Sequence, residues 1–135
     1  MAATDQFSDK AKEFLGGKHF GKFASVKKDG SPHVTPIWYM LDDGKLIVNM
    51  TKQRVKYKNI MRDPRICFLI DDGYPQVLVF GRARVATERD PLKDIETLAI
   101  RYTGEETGRK RAREYFWKMD RVSLEIVPEK ILEDL

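Results

Sequence analysis

Hydrophobic and polar positions alternate with period two over several short stretches of the chain, and stretches of helical spacing are interleaved among them. Phe20–Lys27 reads as a strand, Lys28-Asp-Gly-Ser31 carries an Asp-Gly turn signal, and His33–Leu41 reads as the hairpin partner. Asp42-Asp43-Gly44 turns the chain again into Lys45–Asn49, so three antiparallel strands are expected in succession. The next stretch reads as a helix running to about Arg62, with Thr51 as N-cap and Tyr57, Ile60 and Met61 on one core-facing side. Arg65–Ile70 is expected as a buried strand. After the turn Asp71–Pro75, Gln76–Thr87 reads as a long strand interrupted by Gly81, which signals a bulge or a close backbone approach. Asp90-Pro91 opens a helix in cap-then-proline order, with Leu92, Ile95, Leu98, Ala99 and Tyr102 as its apolar stripe and Thr103-Gly104 as its end. Glu105–Met119 reads as a further helix, with Phe116 and Met119 toward the core, and Arg121–Val127 as a last strand before Pro128. Ahead of the strands, Ser8 or Asp9 caps a short helix carrying Ala11, Phe14 and Leu15, stopped by Gly16-Gly17.

Five or six strands joined largely by hairpins, with helices inserted between them, predict an α+β fold built on a closed or partly closed antiparallel barrel. A parallel dinucleotide-binding fold is disfavoured, because Gly16-Gly17 precedes the first strand where that fold needs its glycine-rich turn after it. The 135 residues fit a single domain, 1–135, that can hold its own core. Hydrophobic residues make up 41% and charged residues 34%, and no apolar run approaches the roughly 18 residues of a membrane span. Residues 1–14 contain acids and no apolar signal-peptide stretch, so a cytoplasmic protein is expected. The single Cys67 excludes an internal disulfide and reads as a buried small hydrophobe. A net charge of +4 and a pI near 9.2 fit an anionic ligand and fit scattered surface lysines equally well.

The distribution of that charge says more. Lys52, Arg54, Lys56 and Lys58 crowd one seven-residue window, whereas 25 Lys and Arg over 135 residues average fewer than two per such window. They fall at the expected start of a helix, where free N–H groups and the helix dipole favour anions and nearby cations cost a few tenths of a kcal/mol each. A bound phosphate would turn that conflict into attraction, with Arg offering a bidentate fork and Lys a mobile charge. The same run also reads as a solvated face. In Pro32–Met40, Pro36 removes a ladder hydrogen bond. It therefore marks an edge strand, a bulge, or a place where a flat ring lies against the backbone and the polar groups of Val34–Trp38 bond its edge.

Taken together, Asp29-Gly-Ser-Pro-His-Val-Thr-Pro-Ile-Trp38, the strand ending Val48-Asn49, Thr51-x-x-Arg54-x-Lys56-x-x-Asn59, Asp63-Pro64-Arg65 and Gly81-Arg-Ala83 resemble the pyridoxamine 5′-phosphate oxidase-like split barrels. The flavin/deazaflavin oxidoreductase branch is the nearer match, over Phe20–Val85. The resemblance implies a six-stranded antiparallel split β-barrel with flanking helices, a homodimer, and FMN or an 8-hydroxy-5-deazaflavin coenzyme at the subunit interface. It puts the cofactor phosphate at Thr51, Arg54 and Lys56 and the ring along Val34, Thr35, Pro36, Ile37 and Trp38, with Asn49 and Met50 completing the cofactor-binding set. The flavin carries the redox chemistry, so no side chain is assigned a catalytic role and no metal is expected. The basic residues that hold pyridoxal phosphate in the true oxidases have no match, which argues against a vitamin B6 substrate.

His33 lies where it would touch the ring or a substrate, and also where a structural histidine would lie; His19 has less to recommend it. Arg109-Lys-Arg111 and Arg113, followed by Tyr115-Phe-Trp117, mix bases and aromatics as nucleic-acid surfaces do. Its helical spacing favours a solvated face, with Phe116 and Met119 toward the core and the bases in water; a second functional reading, resting on charge alone, is a grip for an anionic extension of the cofactor such as a deazaflavin's glutamate tail. Three function classes follow: a flavin-dependent oxidoreductase acting on a small organic substrate, a flavin carrier or sensor without turnover, and a basic nucleic-acid-binding barrel. The last is the least favoured.

Overall fold

The computed structural model describes residues 4–135, and residues 1–3 lie outside the described residues. In chain order the elements are helix α1 (Asp9–Gly16), strands β1 (Gly21–Val26), β2 (Pro32–Ile37), β3 (Tyr39–Asp42) and β4 (Lys45–Thr51), and helix α2 (Val55–Arg62). Strands β5 (Arg65–Asp71) and β6 (Gln76–Val85), helices α3 (Pro91–Thr103) and α4 (Glu105–Glu114), a 3-10 turn (Phe116–Lys118) and strand β7 (Arg121–Asp134) complete them. The fold is α+β. All strands pair antiparallel in one sheet, in the order β2-β1-β5-β6-β7-β4-β3.

Seven strands form rather than six, because the stretch that reads as one strand, His33–Leu41, divides at Trp38. Its halves go to opposite edges of the sheet: β2 pairs with β1, and β3 pairs with β4. Consecutive Cα atoms are about 3.8 Å apart, so a single residue can join the two edges only if the sheet curls until they nearly meet. The result is a split barrel with Trp38 at its seam. Pro36 sits on an edge strand, where its missing N–H interrupts no inner ladder.

Turn chemistry fixes the register. Asp43 (φ 54°) and Gly44 (φ 74°) form the two-residue link between the paired Asp42 and Lys45, the mirror-image turn that suits hairpin twist. Gly81 marks a bulge, as its position in the sequence predicts: the register shifts between Phe80 and Gly81, and a Cβ there would collide with the Val127 carbonyl oxygen. That bulge lets β7 run on through Pro128 to Asp134, past the stop expected at Val127.

Inside the curl, Phe23, Tyr39, Leu46, Phe68, Leu124 and Ile126 form the main core. A second cluster, Met40, Ile47, Ile95, Leu98 and Tyr102 with Trp38 and Phe116 against it, packs α3 onto the outside of β3 and β4. Asp90 caps α3, accepting from the N–H groups of Leu92 and Lys93, with Pro91 in the first turn. Ser8 caps α1 through Ala11 N–H.

Some expectations are corrected. Phe20 precedes β1 and is exposed, β6 ends at Val85, and Cys67 is half-buried because β5 shows alternate residues to the outer face of the sheet. Met61 is exposed; on α2, Asn59 and Ile60 are buried and Tyr57 is partly so. The helix read over Glu105–Met119 breaks at Tyr115 into α4 and the 3-10 turn, leaving Met119 exposed.

Candidate functional site

A cavity of about 310 Å³ opens at the seam, lined by Phe20, Pro36, Ile37, Trp38, Asn49, Met50, Thr51, Arg54, Lys56, Ile95, Leu98, Phe116 and Arg121. Its volume is at the lower end of the roughly 300–1,000 Å³ typical of small-molecule sites. Strands β2 and β4, the segment leading into α2, helix α3 and the start of β7 each supply part of the wall.

Helix α2 begins later than its sequence indicates. Thr51 is the last residue of β4 and not the N-cap; Arg54 holds that position and makes no side-chain capping bond. Lys52 and Arg54 therefore precede the helix, and only Lys56 and Lys58 lie within it. Among the described residues, the N–H groups of Val55 and Lys56 in the first turn have no protein partner.

Three cations line the cavity, Arg54, Lys56 and Arg121, and no carboxylate does. None of the three forms an ion pair among the described residues. Burial, with the Arg54 charge beside it, pulls the Lys56 ammonium down to about 8. The same two causes lower Arg121 without taking it out of its charged range. Lys56 Nζ donates to Thr35 Oγ1 at 3.1 Å. Arg121 donates from Nη1 to Asn49 Oδ1 at 2.9 Å and from Nε to the Phe116 carbonyl at 3.1 Å, with its guanidinium carbon 4.8 Å from the centre of the Phe116 ring. Gathering like charges in a partly desolvated corner is unfavourable unless an anion joins them. A larger hollow elsewhere, about 630 Å³ and lined by Asp42, Glu88, Arg89 and Asp94, differs on this point, because Arg89 pairs with both Asp42 and Asp94.

The opposite wall is aromatic and aliphatic. The Trp38 ring stacks on Tyr102 at 5.1 Å with the planes 5° apart, and Phe116 meets it edge-on at 6.1 Å. Tyr102 is held by donating to the His19 carbonyl at 2.6 Å and accepting from Tyr39 N–H at 3.2 Å. Ile95 and Leu98 of α3 complete the apolar lining. A cationic corner beside a flat apolar wall matches a ligand with a phosphate at one end and a planar ring at the other.

Of the ten expected cofactor-binding residues, Pro36, Ile37, Trp38, Asn49, Met50, Thr51, Arg54 and Lys56 line this cavity. Thr35 reaches it through Lys56, while Val34 is 60% exposed on the open face of β2 and does not line it. His33 is also outside, its Nδ1 buried without a partner among the described residues, and His19 stacks on Phe14 at 4.5 Å. Arg109 pairs with Glu105 at 3.0 Å and approaches Glu96 at 3.8 Å, and Arg111 and Arg113 are exposed on α4, away from the lining. Phe20, Ile95, Leu98, Phe116 and Arg121 also line the cavity, and none of them belongs to the expected set. Arg121 has no local signal: it reaches the site because β7 pairs with β4, setting Arg121 opposite Thr51.

Comparison with known proteins agrees with this fold. A 5a,11a-dehydrotetracycline/5a,11a-dehydrooxytetracycline reductase from Streptomyces rimosus is 26% identical over 70 residues, 49% of either chain, so the chain spans about half the length of the curated relative it matches. Among solved structures, a conserved hypothetical protein from Mycobacterium tuberculosis superposes with TM-score 0.73 at 27% identity, over 95% of this chain and 88% of that one. An F420 reductase superposes with TM-score 0.72 at 25% identity, over 95% of this chain and 100% of the other. A haem storage protein from Vibrio cholerae, at 14% identity and TM-score 0.68 over 95% and 94% of the two chains, shares the fold alone. The pyridoxamine 5′-phosphate oxidase family model matches residues 7–133, and with the curled antiparallel sheet it shows that the chain belongs to the pyridoxamine 5′-phosphate oxidase-like split-barrel family.

Proposed function

We propose that residues 1–135 act as a single flavin-binding domain: an oxidoreductase that uses FMN or an 8-hydroxy-5-deazaflavin coenzyme to transfer a hydride to or from a small organic substrate. The observation that carries this reading is the cavity's division into a carboxylate-free cationic corner at Arg54 and Lys56 and an aromatic wall at Trp38. The donor set fits a phosphate ester. Arg54 offers a fork, Lys56 a mobile charge, and the first turn of α2 free N–H groups. When bound, the cofactor supplies the hydride chemistry. The chain binds and orients it: Trp38, fixed by Tyr102 and Phe116, gives the ring a rigid surface, while Ile95 and Leu98 exclude water from one side.

The reading extends to a cytoplasmic homodimer. Val34 and Pro36 lie exposed on an edge strand beside the cavity, and a second copy covering that edge would bring Val34 and Thr35 into the ring's surroundings. Nucleic acid remains the weaker partner, because the unpaired cations face a cavity and not an open stripe.

Absorbance and mass analysis of the small molecule that copurifies with the full chain tests the proposal. A flavin or deazaflavin spectrum, followed by steady-state oxidation of a reduced nicotinamide or deazaflavin, is the expected result. A bound cofactor without turnover would leave a carrier or sensor. A colourless protein that refuses both cofactors would remove the reading altogether.

A further inference from the structure

A chain of buried polar groups leads into the cationic corner from the far side of β4 and β7. Asp94 on α3 accepts from Arg89 Nε at 2.7 Å and from Ser123 Oγ at 2.7 Å; Ser123 Oγ in turn accepts from Asn49 Nδ2 at 3.2 Å. Asn49 Nδ2 also donates to the Pro91 carbonyl at 2.9 Å, which fixes the amide so that its oxygen faces Arg121 Nη1 at 2.9 Å. Asp94, Asn49 and Ser123 are each at most 6% exposed. Each link orients the next. A buried network with its polar groups satisfied holds one geometry, because breaking any member strands another without a partner.

Arg121 is the end of this chain and the only member that lines the cavity as a cation. A guanidinium carries five N–H donors. Among the described residues, one donor of Arg121 serves Asn49, one serves the Phe116 carbonyl, and Nη2 has only the weak Met119 Sδ contact at 3.7 Å. Donors are therefore left on the group that sits beside Arg54, and across the β4–β7 ladder from Thr51. No carboxylate pairs with Arg121 among the described residues, so an anion entering the cavity would find donors on it.

We propose that Arg121 is a third ligand of the anionic group bound at Arg54 and Lys56, with Asp94, through Ser123 and Asn49, as its positioning residue. This rests on the reading that the cavity takes a phosphorylated flavin-type cofactor, and the shared chemistry is the phosphate, whether the monoester of FMN or the diester of the deazaflavin coenzyme.

The test compares each phosphorylated cofactor with its phosphate-free parent: FMN with riboflavin, and the deazaflavin coenzyme with its deazariboflavin core, by fluorescence titration of the full chain. Arg121→Gln should weaken the phosphorylated form by roughly 10- to 100-fold, the equivalent of one charge-assisted hydrogen bond, and leave the parent unchanged. Ser123→Ala should give a smaller loss with the same selectivity. If Arg121→Gln leaves the ratio between the two forms at its wild-type value while Arg54→Gln collapses it, Arg121 is not a ligand and the flavin reading stands. Should wild-type protein bind neither phosphorylated form more tightly than its parent, both ideas fall. If Arg121→Gln does not fold, Arg121→Lys decides: a partial, phosphate-selective loss supports the assignment, and an unchanged ratio overturns it. A Ser123→Ala protein with full selectivity would remove the positioning role of Asp94.

Discussion

Lys56, in the first turn of α2, donates a 3.1 Å hydrogen bond from Nζ to Oγ1 of Thr35 on the edge strand β2. The bond ties the cationic corner to the strand proposed to carry the cofactor ring. It also makes the site pH-sensitive. With its pKa lowered from 10.5 to about 8, Lys56 carries a penalty while charged in the free protein, fully present below pH 8 and lifted between pH 8 and 10.5. The unliganded protein should therefore gain stability over that window.

Cofactor binding should show the opposite trend. Above pH 8 the free protein has lost the Lys56 proton and must recover it to hold an anion. Affinity for the phosphorylated cofactor should fall as pH rises from 8 to 9.5, and Lys56→Arg should flatten the fall. A titration series in which wild type and Lys56→Arg share one pH profile would remove Lys56 from the anion site.

Arg54→Glu replaces a charge-assisted phosphate bond, worth about 1.5–3 kcal/mol, with repulsion. Arg54 is exposed and uncapped, so the variant should melt near the wild-type temperature and purify without cofactor. Full occupancy in the purified variant would put the phosphate elsewhere.

Tyr102→Phe keeps the stack with Trp38 and removes the hydroxyl that serves the His19 carbonyl and Tyr39 N–H. Leaving the buried Tyr39 N–H and the partly buried His19 carbonyl without this partner should cost about 1–3 kcal/mol of stability. Denaturant unfolding reads it directly; an unchanged midpoint would mean that water replaces the hydroxyl.

Gly81→Ala places a methyl group against the Val127 carbonyl at the β6–β7 bulge. Overpacking of this kind costs about 1–3 kcal/mol. Because neither Gly81 nor Val127 lines the cavity, stability should drop with cofactor affinity unchanged, and a loss of affinity larger than the loss of stability would show coupling between the two.

Much of the fold was legible because local chemistry and tertiary structure agree. Asp43-Gly44 is a hairpin turn in both, Asp90-Pro91 starts a helix in both, and Gly81 marks a bulge in both. The division at Trp38 was not, since neither Pro36 nor the hydrophobic pattern says that the two halves of Pro32–Met40 belong to opposite edges; only closure of the curl does. The Arg54–Lys56 corner could be found from charge crowding within one short segment. Arg121 could not, because its membership depends on β4 pairing with β7 across some 70 residues of sequence, and Thr51 has a cap's side chain without capping α2 because β4 runs two residues past Asn49.

The most direct measurement is an experimental structure of the full chain grown with excess FMN and, separately, with the deazaflavin coenzyme. The account predicts phosphate density within hydrogen-bonding distance of Arg54 and Lys56, with the ring beside Trp38. Water alone in that corner, with either cofactor absent or bound at another surface, would contradict it.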